Sequence, residues 1–234
     1  MRLAIKLAAG AVTLGLVFMA ALGLFGGMFE RSTRGTYAID RTVREVVLDN
    51  SLGSVTIRPP QEGETYGLRS TAAWSLTRPR QSVSTEEGIM RARSECSTRS
   101  PADRCRTDWI VIAPPGMHLT ITNGVGEIRA DGVDNRVTVR GDVGSIRLVA
   151  MTSPAIDART RVGAIEIDAT RPPESITART SVGSIDVAVP RGPVYQVDLM
   201  ATDSAAQPDV ATDPQSEHRI RVAADLGDAK VRYR

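Results

Sequence analysis

The sequence has few of the residue types on which most enzymatic and metal-binding sites depend. Its 234 residues include two histidines, two cysteines and nine aromatic residues. His118 and His218 stand alone, and neither lies at metal-ligand spacing from another candidate ligand. The sequence has no G-x-S-x-G or phosphate-binding P-loop motif either. We therefore expect no enzymatic activity, no metal and no cofactor.

The sequence also lacks an excess of one charge. The formal net charge is +2, and Arg2 and Lys6 are the only charged residues before Glu30, so 27 basic and 27 acidic residues balance in the rest of the chain. Proteins that bind nucleic acid show a basic excess. We do not expect a nucleic-acid partner.

Charge is missing altogether from Leu7 to Phe29, a run of 23 residues. As a helix this run would be about 35 Å long, enough to span a bilayer. Arg2 and Lys6 precede it, which favours a cytoplasmic N-terminus and an extracytoplasmic C-terminal part. We predict a single N-terminal transmembrane helix within residues 1–29 and a single-pass protein of the cell membrane.

Two features of this run leave alternatives open. Ala21-Leu22-Gly23 is a tolerable signal-peptidase site, so the alternative is a secreted protein whose signal peptide is removed. Gly23 and Gly27 form a GxxxG motif, which could join two anchor helices into a homo-oligomer. Glycine is also common in membrane helices without such a role.

The two cysteines, Cys96 and Cys105, lie in the part expected outside the cytoplasm. In an oxidising compartment they predict a disulfide that closes a ten-residue loop and stabilises the fold by about 2–3 kcal/mol. Two thiols without a nearby histidine cannot complete a tetrahedral metal site.

Six glycines occupy the same position in a repeated pattern of apolar residues. The residues seven, five and one before each glycine, and those two and four after it, are apolar in every case. This alternation on both sides of a short connection predicts strand, turn and strand, with the glycine as a structural corner. The six are Gly53, Gly126, Gly144, Gly163, Gly183 and Gly227.

The repeat decides the predicted fold. From Gly126 to Gly183 the glycines are 18, 19 and 20 residues apart, and a fixed period of about 20 residues is typical of solenoids. We predict an all-β protein, a β-solenoid with two strands per coil of about 18–20 residues. An antiparallel sandwich built from hairpins is the alternative. Val197 and Leu199 indicate a degenerate seventh copy, with Ser204 in place of the glycine.

The same pattern sets the predicted domain limits. Residues 1–29 are the anchor, 30–44 a polar juxtamembrane linker, and 45–234 the extracytoplasmic solenoid domain. Residues 60–115 depart from the repeat and contain the cysteine pair. We interpret them as a wider, disulfide-stapled section of the same domain.

Three arginines recur at one position of the repeat. Arg140, Arg159 and Arg179 each stand four residues before a corner glycine, so a stacked solenoid would align them on an outward face. Like charges at a strand spacing of about 4.8 Å repel unless compensated, which makes the column a candidate anion-binding stripe. Asp157 stands two residues from Arg159, and the alternative is an ion-paired exposed face.

Carboxylates from neighbouring coils give a competing interpretation. Glu166, Asp168 and Asp186 could form the paired carboxylates of a β-helical carbohydrate-active enzyme. However, Arg129 and Arg147 occupy the coil position of Glu166 and Asp186. This mixture favours a solvated face with ion pairs between coils.

Several stretches resemble a known family. "VVLDNSLGSVTIRP", "DWIVIAPPGMHLTITNGVGEIRADG", the repeated "RT-x-VG-x-I" units and "VPRGPVYQVDLMATDS" resemble a widespread bacterial family of unknown function whose members are described as adhesins. The resemblance covers about residues 43–234, but the corners here read Val-Gly-Ser/Ala-Ile where the family has Asn/Ser-Gly-Asp-Val. It implies a β-solenoid at the cell surface, often behind one N-terminal helix, and it supplies no catalytic residues.

Together these features favour a binding or adhesion module of the cell envelope, with an envelope polymer or a surface protein as its partner. The alternative is a structural or regulatory envelope protein that acts through a protein partner, and the carbohydrate-active enzyme comes third.

Overall fold

The computed structural model describes residues 30–97, 104–202 and 207–234. The regular secondary structure in these ranges consists of β-strands alone. Successive strand residues alternate between buried and exposed, as the period-two pattern predicts. The strands are β1 (Arg31–Ala38), β2 (Glu45–Leu52), β3 (Val55–Arg58), β4 (Gly67–Trp74), β5 (Arg80–Glu86), β6 (Ile89–Glu95), β7 (Cys105–Ile112), β8 (His118–Val125), β9 (Ile128–Asp131), β10 (Val137–Val143), β11 (Ile146–Met151), β12 (Ala155–Val162), β13 (Ile165–Ala169), β14 (Ser175–Val182), β15 (Ile185–Val189), β16 (Gln196–Ala201), β17 (Arg219–Leu226) and β18 (Ala229–Tyr233).

These strands form two nine-stranded sheets with one apolar core between them. Sheet 1 has the order β1-β4-β7-β3-β9-β11-β13-β15-β18, and sheet 2 has the order β16-β17-β14-β12-β10-β8-β2-β6-β5. Neighbouring coils pair in parallel in both sheets, which excludes the alternative sandwich of hairpins. The stacked coils, in spatial order, are β6–β7, β2–β3, β8–β9, β10–β11, β12–β13, β14–β15 and β17–β18. The predicted all-β solenoid with two strands per coil is confirmed.

The repeat places equivalent residues on top of one another. Val137 of β10 pairs with Leu119 on one side and Ile156 on the other, and all three are buried. Burial of such a side chain contributes about 1.5–3 kcal/mol, so an unbroken apolar column stabilises every coil through its neighbours.

One column departs from the predicted alternation. The residues directly before the corner glycines are exposed, with 43% of Val143, 45% of Val162 and 58% of Leu226 accessible to solvent. The chain bends at the corner, so this residue points outward although its place in the alternation would bury it. We call the exposed column the apolar ridge; its members are Val125, Val143, Val162, Val182 and Leu226.

The N-terminal end of the solenoid is closed by reversed strands. After β3 the chain forms β4, antiparallel to β7, and then β5, antiparallel to β6, before β6 and β7 add a coil outside β2 and β3. This insertion is the section that departs from the repeat.

Residues 31–38 do not form the predicted linker. They are strand β1, which pairs antiparallel with β4 along its whole length. Tyr37 packs against buried Trp109 at 6.2 Å between ring centroids, so this polar segment contributes to the core. Residues 39–44 of the predicted linker connect β1 to β2.

The degenerate seventh copy is also present, but it lies out of chain order. β16 pairs in parallel with β17, Val197 beside Ile220 and Leu199 beside Val222, while β17 occupies the place next to β14. Ser204 stands in the sequence where a corner needs glycine, whereas β17 leads to Gly227. The strand with the glycine takes the coil position, and β16 remains a single edge strand.

The predicted transmembrane helix and its GxxxG motif fall within residues 1–29, outside the described residues. Within the described ranges, no helix has the length and apolar character needed to cross a membrane.

Candidate functional site

The six corner glycines form a ladder along one edge of the solenoid. Each has a positive φ, from 129° to 146°. A Cβ on Gly163 would lie 2.1 Å from the carbonyl oxygen of Gly144 in the preceding coil, and the other corner glycines have equally close contacts. The amide of Gly163 donates to the carbonyl of Val182 at 2.9 Å, so the hydrogen-bond ladder continues around the corner. These glycines are structural, and no ligand could approach their inner side.

The coil formed by β6 and β7 has a disulfide at its corner instead. Cys96 and Cys105 are bonded, with 5.7 Å between their Cα atoms. Cys105 is buried, and the amide of Cys96 donates to Ser51 Oγ of the adjacent coil at 2.8 Å. The predicted disulfide is confirmed, and it closes the corner where the insertion lacks the repeat.

A buried polar column lies inside the same edge, and the sequence analysis missed it. The residue three before the corner glycine points inward, and in four coils it is Asn or Thr. Asn123 Nδ2 donates to the carbonyl oxygen of Gly53 at 2.9 Å, and Thr180 Oγ1 donates to that of Gly163 at 3.0 Å. The signal was a polar residue recurring within an inward apolar stripe.

At the disulfide end this column becomes a network. Trp109 Nε1 donates to Ser94 Oγ at 3.0 Å, Ser94 Oγ donates to Asn50 Oδ1, and Asn50 Nδ2 donates to Asn123 Oδ1 at 2.9 Å. All four side chains are buried. Buried polar groups are tolerated when they are hydrogen-bonded, so the network fixes the stacking of three coils rather than forming an accessible site.

The arginine column lies on the outer face of sheet 2, beside the glycine edge. Arg140 pairs in register with Arg159, and Arg159 with Arg179, so the three predicted residues stack on adjacent strands. Arg159 Nε is 2.8 Å from Asp157 Oδ1, and an Arg179 guanidinium nitrogen is 3.0 Å from an oxygen of Asp225. Within the described ranges Arg140 makes no ion pair. The column is therefore partly neutralised and keeps one guanidinium without a carboxylate.

A mixed strip separates the arginine column from the apolar ridge. Arg161 Nε lies 3.0 Å from Asp142 Oδ1, and both side chains are largely exposed. In the β10–β11 and β12–β13 coils, four successive residues of β10 and β12 take the surface from a guanidinium group through this ion pair to a valine side chain. Exposed ion pairs of this kind stabilise the fold by about 0–1 kcal/mol each. Breaking such a pair to bind a ligand would therefore cost little folding stability.

The three carboxylates of the competing enzyme interpretation lie on the outer face of sheet 1. Glu166 and Asp186 are neighbours on adjacent strands. Glu166 is 2.8 Å from Arg147 Nε, Asp186 is 3.0 Å from Arg232 Nε, and Asp168 is 2.6 Å from Arg234 Nε. The hydrogen bond with Asp186 raises the pKa of Arg232 further. Each of these three carboxylates therefore belongs to an ion pair with an arginine, which agrees with a solvated face carrying ion pairs between coils.

The opposite edge of the solenoid carries the variable loops and two open cavities. Tyr66, Pro114, Pro115 and Met117 line both cavities, whose volumes are about 290 and 420 Å³. In the described part of the chain, no group of three or more His, Cys, Asp or Glu side chains could hold a metal ion.

One carboxylate near this edge is strongly perturbed. Glu64 lies 2.5 Å from Arg58 and 2.6 Å from Arg69. The hydrogen bond from Arg58 and a second from the Gln61 amide lower the pKa of Glu64 to about 2. A carboxylate held ionised between two guanidinium groups fixes a loop and is poorly suited to proton transfer at neutral pH.

A two-sheet solenoid with parallel coils and glycine corners defines the class of protein. Residues 2–232 match the Toastrack DUF4097 family, and the chain belongs to that family. The predicted resemblance to a bacterial adhesin-like family of unknown function is thereby confirmed.

Among solved structures, the chain is similar to a proposed cell adhesion protein from Clostridium sporogenes. It is 10% identical, with a TM-score of 0.49 over 88% of this chain and 100% of that one. A proposed adhesin from Bacteroides fragilis is also 10% identical, with a TM-score of 0.38 over 86% of this chain and 97% of that one. No curated protein sequence matches this chain significantly.

Proposed function

We propose that the chain is a non-enzymatic protein of the cell envelope, anchored by its N-terminal helix, whose solenoid binds an anionic envelope polymer along the arginine column. The observation that carries the proposal is the register of Arg140, Arg159 and Arg179 on three adjacent strands. Their spacing of about 4.8 Å presents a line of guanidinium groups to a ligand with repeated negative charges. Arginine binds phosphate and carboxylate groups through paired hydrogen bonds.

The charges around the arginine column favour binding at this site over non-specific attraction to a positively charged surface. Arg140 has no carboxylate partner within the described ranges, and the carboxylates beside Arg159 and Arg179 belong to exposed pairs. Exchanging an exposed aspartate for a ligand anion costs little because both partners are already solvated. A polymer that spans three coils would gain three such contacts at once, and linked contacts strengthen one another.

The placement at the envelope is supported by the sequence alone. The run of 23 uncharged residues follows Arg2 and Lys6, and the disulfide belongs to an oxidising compartment. The absence of a free carboxyl pair at Glu166, Asp168 and Asp186 favours binding over glycan cleavage.

The test is a binding titration with the purified full-length chain. Fluorescently labelled long-chain polyphosphate and polygalacturonate serve as phosphate and carboxylate probes. We expect the triple variant Arg140→Gln, Arg159→Gln, Arg179→Gln to bind at least 10-fold more weakly than the unchanged chain, because each contact contributes through charge-assisted hydrogen bonds.

The control is Arg129→Gln, Arg147→Gln, Lys230→Gln, which removes three positive charges from the outer face of sheet 1. It should bind within about two-fold of the unchanged chain. An equal loss in both triple variants would show a non-specific charge effect and contradict the proposed site. No binding of either probe by the unchanged chain would favour the alternative, action through a protein partner.

A further inference from the structure

The C-terminal end of sheet 2 presents a strand edge that no described residue covers along most of its length. β16 is the last strand of the sheet. The amide of Gln196 donates to the carbonyl of His218 at 2.8 Å, on the side of β17. On the other side, Tyr195 exchanges hydrogen bonds with Ala211 and Asp213 at 3.0 Å each. Among the residues that the structure describes, hydrogen-bond partners occupy the outer edge at Tyr195 and none occupies it along the rest of β16.

The direction of the remaining backbone groups follows from strand geometry. Successive residues of a strand direct their N–H and C=O groups to opposite sides. Since Gln196 faces β17, the N–H and C=O groups of Val197, Leu199 and Ala201 face away from β17. Unpaired groups along a sheet edge form a template for another strand.

The side chains of β16 are also incompletely covered. Val197, Leu199 and Ala201 pack on the core but remain partly exposed, whereas their counterparts Ile220 and Val222, one strand further in, are buried. Met200, on the outer face, is 59% exposed. β16 contains neither lysine nor proline, the residues that commonly protect an edge strand.

We propose that this edge is the interface with a second copy of the chain, through antiparallel pairing of two β16 strands about a two-fold axis. Side chains alternate between the two faces of a strand. The core-facing side chains of both copies therefore lie on the same face of the joined sheet only when the residue numbers of each opposed pair add up to an even number. β16 runs from residue 196 to 201. The register that places Leu199 opposite Leu199 of the partner pairs residues 197–201.

The two neighbouring registers are less favourable. One of them also pairs five residues but places Asp198 opposite Asp198, which repels, and the other pairs only three residues. With Leu199 at the centre, Asp198 lies opposite Met200 and Val197 opposite Ala201. The pairing would satisfy the open N–H and C=O groups, cover the partly exposed core residues and join the two copies of sheet 2 into one continuous sheet.

The position of Leu199 on the proposed axis gives a specific cross-linking test. Directly opposed residues of antiparallel strands have Cβ atoms about 4.5–5.5 Å apart, near disulfide range. We expect the full-length Leu199→Cys variant, in membranes under mild oxidation, to form a covalent dimer that a reducing agent removes.

Val197→Cys is the matched control. It lies on the same strand and face, but its own copy in the partner would be about 13 Å away along the strand. Equal cross-linking of both variants would indicate random collision or disulfide exchange and would overturn the proposal, as would no cross-linking of Leu199→Cys.

A second variant separates this interface from pairing through the anchor helix. Leu199→Pro removes an N–H that faces away from β17, so the fold should persist and the dimer should not. The readout is disulfide cross-linking in a background with Val197→Cys and Ala201→Cys, which the proposed register places opposite each other. With Leu199→Pro this cross-linking should fall at least five-fold, with an unchanged circular dichroism spectrum. Should proline unfold the chain, Leu199→Lys places a charge at the same point and should give the same loss. A folded variant that remains fully cross-linked at β16 would contradict the second-copy interface. Cross-linking of β16 to a different protein would contradict it as well.

Discussion

The two long edges of the solenoid connect the same strands by different means. At the glycine edge the regular connections take two residues, and a Cβ on any corner glycine would overlap the preceding coil. At the loop edge the connections vary, from three residues between β11 and β12 to five between β13 and β14, and they contain most of the prolines near the repeats. Coil stacking therefore depends on backbone contact at the glycine edge, while the loop edge accommodates changes in length.

The largest expected effect tests the backbone contact. Gly163→Ala should destabilise the fold by about 3 kcal/mol or more, because the new Cβ combines a positive φ with a 2.1 Å contact to the Gly144 carbonyl. Gly192→Ala, at the loop edge, also has a positive φ but no atom within 4 Å, and should lose about 1 kcal/mol. Urea unfolding of both variants measures the difference. Equal losses would mean that the backbone angle alone matters and the ladder contact does not.

The next effect concerns the corner that lacks a glycine. Replacing Cys96 and Cys105 together by serine should cost about 2–3 kcal/mol, since the unfolded chain regains the freedom of a ten-residue loop. Thermal unfolding with and without a reducing agent is the measurement. The variant should be insensitive to the reducing agent, and an unchanged melting temperature would show that the corner holds without its covalent link.

A smaller effect is expected from the buried polar column. Asn123→Ala should cost about 1–3 kcal/mol, because Asn50 and the Gly53 carbonyl each lose a hydrogen-bond partner inside the core. Thr122→Ala, one residue earlier on the exposed face, should change stability by less than about 0.5 kcal/mol. Chemical denaturation of the two variants measures their free energies of unfolding. Similar losses in both would show that the buried polar column does not stabilise the stacking of the coils.

The smallest effect belongs to an ion pair near the loop edge. The pKa of Glu64 is lowered to about 2, so its folded carboxylate binds a proton less readily than the unfolded one. The stabilisation it provides should be complete above about pH 4.5 and disappear as the pH falls to about 2. The urea midpoints of the unchanged chain and Glu64→Gln should therefore differ at pH 7 and converge near pH 2. A constant difference over this range would contradict the assignment.

The regular coils were predictable because each one repeats the same local rules. Apolar residues at alternating positions around Gly144, Gly163 and Gly183 define inward faces, and a constant distance to the glycine fixes the register between coils. The arginine column follows from the same register. The buried asparagines were missed because a polar residue within an apolar stripe is locally unfavourable, and only the carbonyl of the neighbouring coil explains it.

The irregular ends were harder to predict for a related reason. Residues 31–38 are polar, and nothing in their own pattern requires a strand; pairing with β4 and the contact of Tyr37 with Trp109 provide the stabilisation. The exposure of Val162 contradicts its alternation because the corner turns its side chain outward.

The sequence by itself determined the class of fold, the coil period, the corner positions and the disulfide, since alternation, glycine and cysteine act over distances of a few residues. The tertiary structure decided which strands lie side by side. It placed the β6–β7 coil outside the β2–β3 coil, and it gave the coil position beside β14 to β17 rather than β16. The inward face of a strand fits many neighbours equally well. A two-residue corner, in contrast, accepts only a chain that brings a glycine to the carbonyl of the neighbouring coil, and that requirement exists only once the coils are stacked.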